Sequence, residues 1–193
     1  MSTPIFFPTE VWNGKQIQFT HPSASTWTID AKIGDETCLW TNRDETANGK
    51  GSVAICTFAC HRPNDNVQAT MQVSMQIRYR GSEFLPASMR RNQASEKLTF
   101  GVHLQLEAHE LLLKSQCEHA PQDLGLRRGK QDEDGLVPGG SVVYLVVSNV
   151  PGVVLGEPTV TWKDAIDIQD GIFWGLERED RDRIRLAFET AYR

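Results

Sequence analysis

His103, Glu107 and Glu110 fall on one face of an expected helix. An imidazole and two carboxylates at that spacing could ligate a metal or move a proton. A solvated polar line is the commoner outcome of such spacing, so no metal and no cofactor is assigned. Cys56, Cys60 and His61 look like a chelate. On a strand, however, residues four apart stand about 13 Å apart, and buried thiols are the better reading. Cys117 and His119 flank a helix end and could form a thiolate pair. The run Gly125-Leu-Arg-Arg-Gly-Lys130 has the flavour of a phosphate loop. It is one residue short of G-x-x-x-x-G-K and lacks the following Ser or Thr. Arg127, Arg128 and Lys130 therefore read as a solvated turn, as do Arg90 and Arg91. Trp12, Trp27, Trp40, Trp162 and Trp174 could line a pocket, but packing is the default for so large a side chain.

The elements that must hold these residues are legible from periodicity. Residues 5–20 alternate weakly and read as a hairpin or edge strands. Residues 26–33 alternate like a half-buried strand, Gly34-Asp35 signals a turn, and 37–40 read as a return strand. Residues 41–51 are polar and read as a loop. Residues 52–60 read as a strand, 62–66 as a turn. Val67 to Tyr79 alternates cleanly, with Val67, Ala69, Met71, Val73, Met75, Ile77 and Tyr79 on one face. The opposite face, Gln68 to Arg78, should be wet. Leu98 to Gln116 should be a helix with an apolar stripe of Phe100, Leu104, Ala108, Leu111 and Leu112, and a second of Leu106 and Leu113. Ser141 to Val147 is an unbroken apolar run, as in a central strand buried on both faces. Residues 153–172 look like loop, and Leu176 to Tyr192 like a helix. There Glu177/Arg181 and Glu179/Arg183 stand at favourable i,i+4 spacing.

The chain has 193 residues, 39% of them hydrophobic and 23% charged, which suits one globular domain with a core. A formal charge of −5 gives no general attraction for nucleic acid or an anionic membrane. No stretch approaches the roughly 20 apolar residues of a membrane span. The N-terminus lacks the basic and apolar regions of a signal peptide. The four cysteines read as reduced thiols, and the expected location is intracellular, cytoplasmic or nuclear.

Three segments together resemble a known family. They are L-E-A-H-E-L-L-L-K-S-Q-C-E-H-A-P-Q-D-L-G at 106–125, V-P-G-G-S-V-V-Y-L-V-V-S-N-V-P-G at 137–152, and F-W-G-L-E-R-E-D-R-D-R-I-R-L-A-F at 173–188. Their order and spacing resemble the small lobe and hinge of the protein-kinase-like proteins of filamentous fungi, which are related to aminoglycoside phosphotransferases. The resemblance runs from about Ala69 to the C-terminus. It implies an α+β fold: a kinase-small-lobe-like antiparallel sheet of about five strands with one packed helix, plus a C-terminal helix. Residues 1–193 would form one such domain, with sheet and helix in 1–150 and hinge, loop and C-terminal helix in 151–193.

In kinases a strand lysine neutralises the nucleotide phosphates and pairs with a helix glutamate. The resemblance makes Glu107 that glutamate and puts Gln72 where the lysine belongs. Gln72, Glu107, Ser148 and Asn149 would line a degenerate nucleotide cleft, and Glu107 and His103 are the only catalytic candidates. The glycine-rich loop is reduced to Gly34, followed by Asp35 and Glu36. Neither H-x-D nor D-F-G occurs before Arg193. The expectation is a catalytically inactive kinase-like module that acts through a protein partner or as a homo-oligomer. The alternative is a small-molecule-binding protein, or an enzyme of repurposed chemistry, with its cleft around a buried Glu107.

Overall fold

A computed structural model describes residues 5–44, 51–117, 119–152, 155, 158–161, 165–168 and 172–192. The chain divides into two compact units, Met1–Asn149 and Val150–Arg193. Among the described residues no helix is long and apolar enough to cross a membrane.

The first unit is built on a six-stranded sheet in the order β1-β2-β3-β4-β6-β5, antiparallel at every pairing. The strands are β1 (Gln16–Phe19), β2 (Ser25–Cys38), β3 (Val53–Arg62), β4 (Val67–Gln76), β5 (Asp123–Lys130) and β6 (Ser141–Ser148). The sheet curls until its two edges nearly meet. The Leu126 N–H donates to His21 O at 3.2 Å, and Arg127 Nη1 reaches Gln18 O at 3.4 Å. Gly125 permits this approach, because a Cβ there would lie 2.8 Å from the Phe19 ring. The fold is thus α+β as expected, but with six strands rather than about five, and nearly barrel-shaped.

Alternation decides what fills the barrel. Ala54, Cys56, Phe58 and Cys60 of β3 and Ala69, Met71, Val73 and Met75 of β4 point inward and are buried. Trp27, which is fully buried, and Ile29 of β2 join them. One end is stoppered by Phe6, Phe7 and α1 (Thr9–Trp12), where Trp12 stacks on Phe58 at 5.5 Å between centroids. Residues 5–20 are therefore not a hairpin: Pro8 opens a helical turn, as a proline is suited to do, and only Gln16–Phe19 is strand. Gly34-Asp35 is not a turn either. β2 runs straight through it, with register shifts at Ile29/Ala31 and Lys32/Gly34 taking up the irregularity. The predicted return strand at 37–40 is in part the end of β2.

α2 (Ala87–Arg90) and a 3-10 turn at Arg91–Gln93 lead to α3 (Phe100–Lys114). α3 lies on the outer face of the sheet. Its buried residues, Val102 and Leu106, pack with Val53, Val143 and Leu145. β6, between β4 and β5, is thus covered on both faces, as its apolar run predicts. The face of α3 differs from expectation. Phe100, Leu104 and Leu111 are exposed, at 73%, 45% and 65%, and Leu112 is exposed as well. α3 is apolar on several sides, and the narrow strip of outer sheet accepts only one of them. Leu106→Ala should therefore cost about 2–3 kcal/mol, and Leu112→Ala less than about 1 kcal/mol. Urea denaturation of the two variants checks this, and equal costs would reject the docking of α3.

The second unit contains the antiparallel pair β7 (Pro158–Thr161) and β8 (Ala165–Ile168), in a stretch expected to be loop. α4 (Ile172–Gly175) and α5 (Arg178–Tyr192) follow. The ion pairs of α5 differ from those expected. Arg178 meets Asp182 at 3.7 Å, Arg185 meets Asp182 at 2.7 Å, and Arg183 meets Asp180. Arg181 instead lies over the Trp174 ring at 5.5 Å.

Candidate functional site

The residues singled out from the sequence do not converge on one site, although Glu107 and His103 meet on the exposed side of α3. Gln72 and Gln105 exchange amide hydrogen bonds: Gln72 Nε2 donates to Gln105 Oε1 at 3.1 Å, and Gln105 Nε2 donates back to Gln72 Oε1. Glu107, two residues further, is turned about 200° around the helix from Gln105. Its side chain is 53% exposed and meets His103 Nε2 at 3.4 Å. The expected buried Glu107 is thus an exposed one. Glu110 accepts from Lys114 at 2.7 Å and so does not complete a three-residue cluster.

Ser148 and Asn149 finish the end of β6. Ser148 Oγ accepts the Gln122 N–H at 2.9 Å, and Asn149 Oδ1 accepts the Thr70 hydroxyl at 2.8 Å. The phosphate-loop-like run belongs to strand β5, and Lys130 is tied to Glu96 at 2.6 Å. Of the tryptophans, Trp12 and Trp27 are core and Trp174 is 52% exposed. Trp162 lies outside the described residues.

Cys56 and Cys60 are both buried on the inner face of β3, with Phe58 between them, while His61 turns outward to Asp30 at 2.7 Å. Burial pushes the Cys56 thiol up to about 11 and the Cys60 thiol up to about 12. The Asp30 carboxylate adds to the rise at Cys60, whereas at Cys56 the Lys32 ammonium offsets part of it, by more than Asp35 adds. Folding therefore holds both protons. The resulting stability is complete below the ordinary thiol value near about pH 8.5 and is lost as pH climbs through the raised values. At pH 8 a maleimide should label Cys38 and Cys117, which are half-buried, while Cys56 and Cys60 react only after unfolding. Mass spectrometry of the labelled native protein checks this, and four rapid modifications would contradict the buried pair.

A different place has the form of a site. A cleft of about 220 Å³ opens on the outer face of the sheet, where segment 95–99 crosses toward the start of α3. Its apolar wall is Val53, Val143 and Val102, and its polar wall is Ser74, Ser141 and Thr99. β4 and β6 supply the short serines, and the smallness of these side chains leaves the space. Gln76 pins the far wall: its Nε2 donates to Gln93 O at 2.6 Å, and its Oε1 accepts the Ser95 N–H at 3.0 Å.

The polar groups of this cleft are incompletely bonded. Ser74 is 7% exposed, and its hydroxyl stays open to the cleft with no hydrogen bond to the described residues. Thr99 stands at the N-cap of α3 without a capping bond, and its Oγ1 is shielded from solvent with no partner. Buried hydroxyls are normally hydrogen-bonded, so each such exception needs an account. The first turn of α3 contains no acidic residue, so its orphan N–H groups keep their positive field. Lys97 is exposed at the rim and forms no ion pair among the described residues.

Sequence reasoning missed this site because the even-numbered face of β4 looked wet. Ser74 and Gln76 are instead covered. The available signal was the single small residue in the row Gln72, Ser74, Gln76, facing a helix that begins at a threonine.

The first unit is thus an α+β structure: a nearly closed antiparallel barrel with a helix-capped outer cleft. Comparison with family models, curated proteins and solved structures finds no match.

Proposed function

We propose that the protein is a non-catalytic binding protein whose site is the outer cleft between α3 and the sheet. The observation that carries this reading is Thr99 Oγ1, shielded from solvent and without a partner in the wall of the cleft. Such a group costs about 1–3 kcal/mol while unsatisfied, a cost that a bound polar atom would remove. No His, Asp or Glu lines the cleft, so the described residues offer no general base there. The proposal contains no phosphate transfer, because Gln72 is held by Gln105 and Glu107 faces solvent.

A thermal-shift screen of the full chain against a mixed panel of small carboxylates, amines, amides and sugars tests the reading. A ligand at 100 times its Kd should add about 2.7 kcal/mol of stability. Ser141→Leu, which fills the cleft from β6, should abolish the shift. No shift from any class, or a shift that survives Ser141→Leu, would reject the cleft as the site.

Self-association is a second reading, favoured by the exposed Phe100, Leu104 and Leu111 on one stripe of α3. A stripe of that kind in a monomer is unusual unless it is covered. Sedimentation of the full chain should then show a dimer that Leu104→Glu dissociates. A monomer across the concentration range would remove this reading and leave the cleft.

A further inference from the structure

The geometry points to a short-chain carboxylate, with a small branched apolar body, as the ligand class of the outer cleft. This inference rests on the binding reading above and narrows it. Volume sets the first limit. A space of about 220 Å³ holds roughly seven waters at about 30 Å³ each, which matches a ligand of about seven heavy atoms. A nucleotide or a sugar phosphate is far larger.

The walls set the second limit. Val53, Val143, Val102 and Leu98 offer apolar surface on one side, which suits a branched hydrocarbon rather than a sugar or a bare inorganic ion. Burying such a body is favourable at roughly 25 cal/mol per Å².

Charge sets the third. The orphan N–H groups at the start of α3 favour an anion, and Lys97 at the rim adds a full positive charge. The nearby Glu96 does not oppose it, because Lys130 neutralises that carboxylate at 2.6 Å. A ligand cation would find no carboxylate in the lining, only neutral hydroxyls and Gln76 Oε1, which already accepts the Ser95 N–H. The shielded, unpartnered Thr99 hydroxyl is the sign that a polar atom belongs here, and like the Ser74 hydroxyl that faces the cleft it can donate to a carboxylate oxygen.

The test is an amide-resonance titration of the full chain with isovalerate, and in parallel with isovaleramide at the same ionic strength. Isovalerate should bind saturably and shift the resonances of Gly51 and Gly101, which flank the cleft. The neutral amide should bind at least tenfold more weakly. Lys97→Gln is a surface change that spares folding, and Ser74→Ala removes a hydroxyl that faces the cleft. Each should weaken isovalerate by roughly tenfold, the ordinary worth of a hydrogen bond to a charged group. Equal affinity for acid and amide would overturn the carboxylate assignment while leaving the cleft as a binding site. So would affinity unchanged by either variant. If neither probe shifts any resonance, the inference fails, and a negative panel in the thermal-shift screen would then remove the cleft reading as well.

Discussion

Phe58→Ala should destabilise the protein by about 3–5 kcal/mol, the cost of deleting a fully buried aromatic ring from a well-packed core. Phe58 lies at the centre of an aromatic group. Trp12 stacks on it at 5.5 Å with 18° between planes, and Phe7 meets it edge-on at 6.0 Å. Phe7 and Trp12 also touch at 5.2 Å. The ring therefore does two things at once: it fills the barrel, and it seats the N-terminal stopper. Truncation removes its own buried area and the surface on which Trp12 rests. With a urea slope of about 1–3 kcal/mol/M, the midpoint should fall by at least about 1 M. Phe84→Ala is the matched control, because Phe84 is 100% exposed and its loss should be nearly neutral. A Phe58 variant as stable as the Phe84 variant would mean that residues 5–12 do not close the barrel.

Gly140→Val should cost about 3–5 kcal/mol, combining overpacking with broken buried hydrogen bonds. A Cβ at Gly140 would lie 2.7 Å from Gln76 Oε1 and 2.9 Å from the Val137 carbonyl oxygen. The second of these is backbone and cannot turn aside. The loop between β5 and β6 is gathered around Gln131, which is 8% exposed. Its Nε2 donates to Gln76 O at 2.7 Å, and its Oε1 accepts the Val137 N–H at 3.1 Å. Its own N–H donates to Gly140 O at 2.8 Å, and its O accepts the Gly139 N–H at 2.9 Å. Gly139 adopts φ +80°, which also favours glycine. Displacing Gln76 Oε1 would release the Ser95 N–H and with it a wall of the outer cleft. The variant should therefore lose ligand-induced stabilisation as well as intrinsic stability. Gly129→Ala is the control, since its Cβ would meet Val142 at an ordinary 3.5 Å. Thermal melting of both variants decides the matter, and equal melting temperatures would refute the packing described for Gly140.

Local pattern carried much of this fold. The alternation of β4, the unbroken apolar run of β6 and the helical period of α3 each follow from side-chain spacing within one segment. What the spacing could not supply was the choice of partner. α3 has leucines on several sides, and only contact with Val143 and Leu145 selects the Val102–Leu106 line. The polar face of β4 reads identically whether water or segment 93–99 covers it, so Ser74 looked solvated when it is buried. The pairing of Gln72 with Glu107 came from the kinase-like resemblance rather than from the residues themselves, and Gln105 occupies that position instead. The weak alternation of residues 5–12 misled, because their order comes from the aromatic contacts they make with β3.

β2 has a consequence of another kind. It is 14 residues long, yet β1 pairs only with Ser25–Thr28. The later half of β2 thus pairs with β3 on one side, and among the described residues no strand pairs with it on the other. An open strand edge is a template for another chain. Here it is guarded by two register shifts and by the charges of Lys32, Asp35 and Glu36, two of which form an ion pair at 2.9 Å. The glycine and carboxylates that imitate a turn in the sequence act in the fold as a barrier to strand addition, so resistance to edge-to-edge aggregation is built into the stretch of β2 that looks least like a strand.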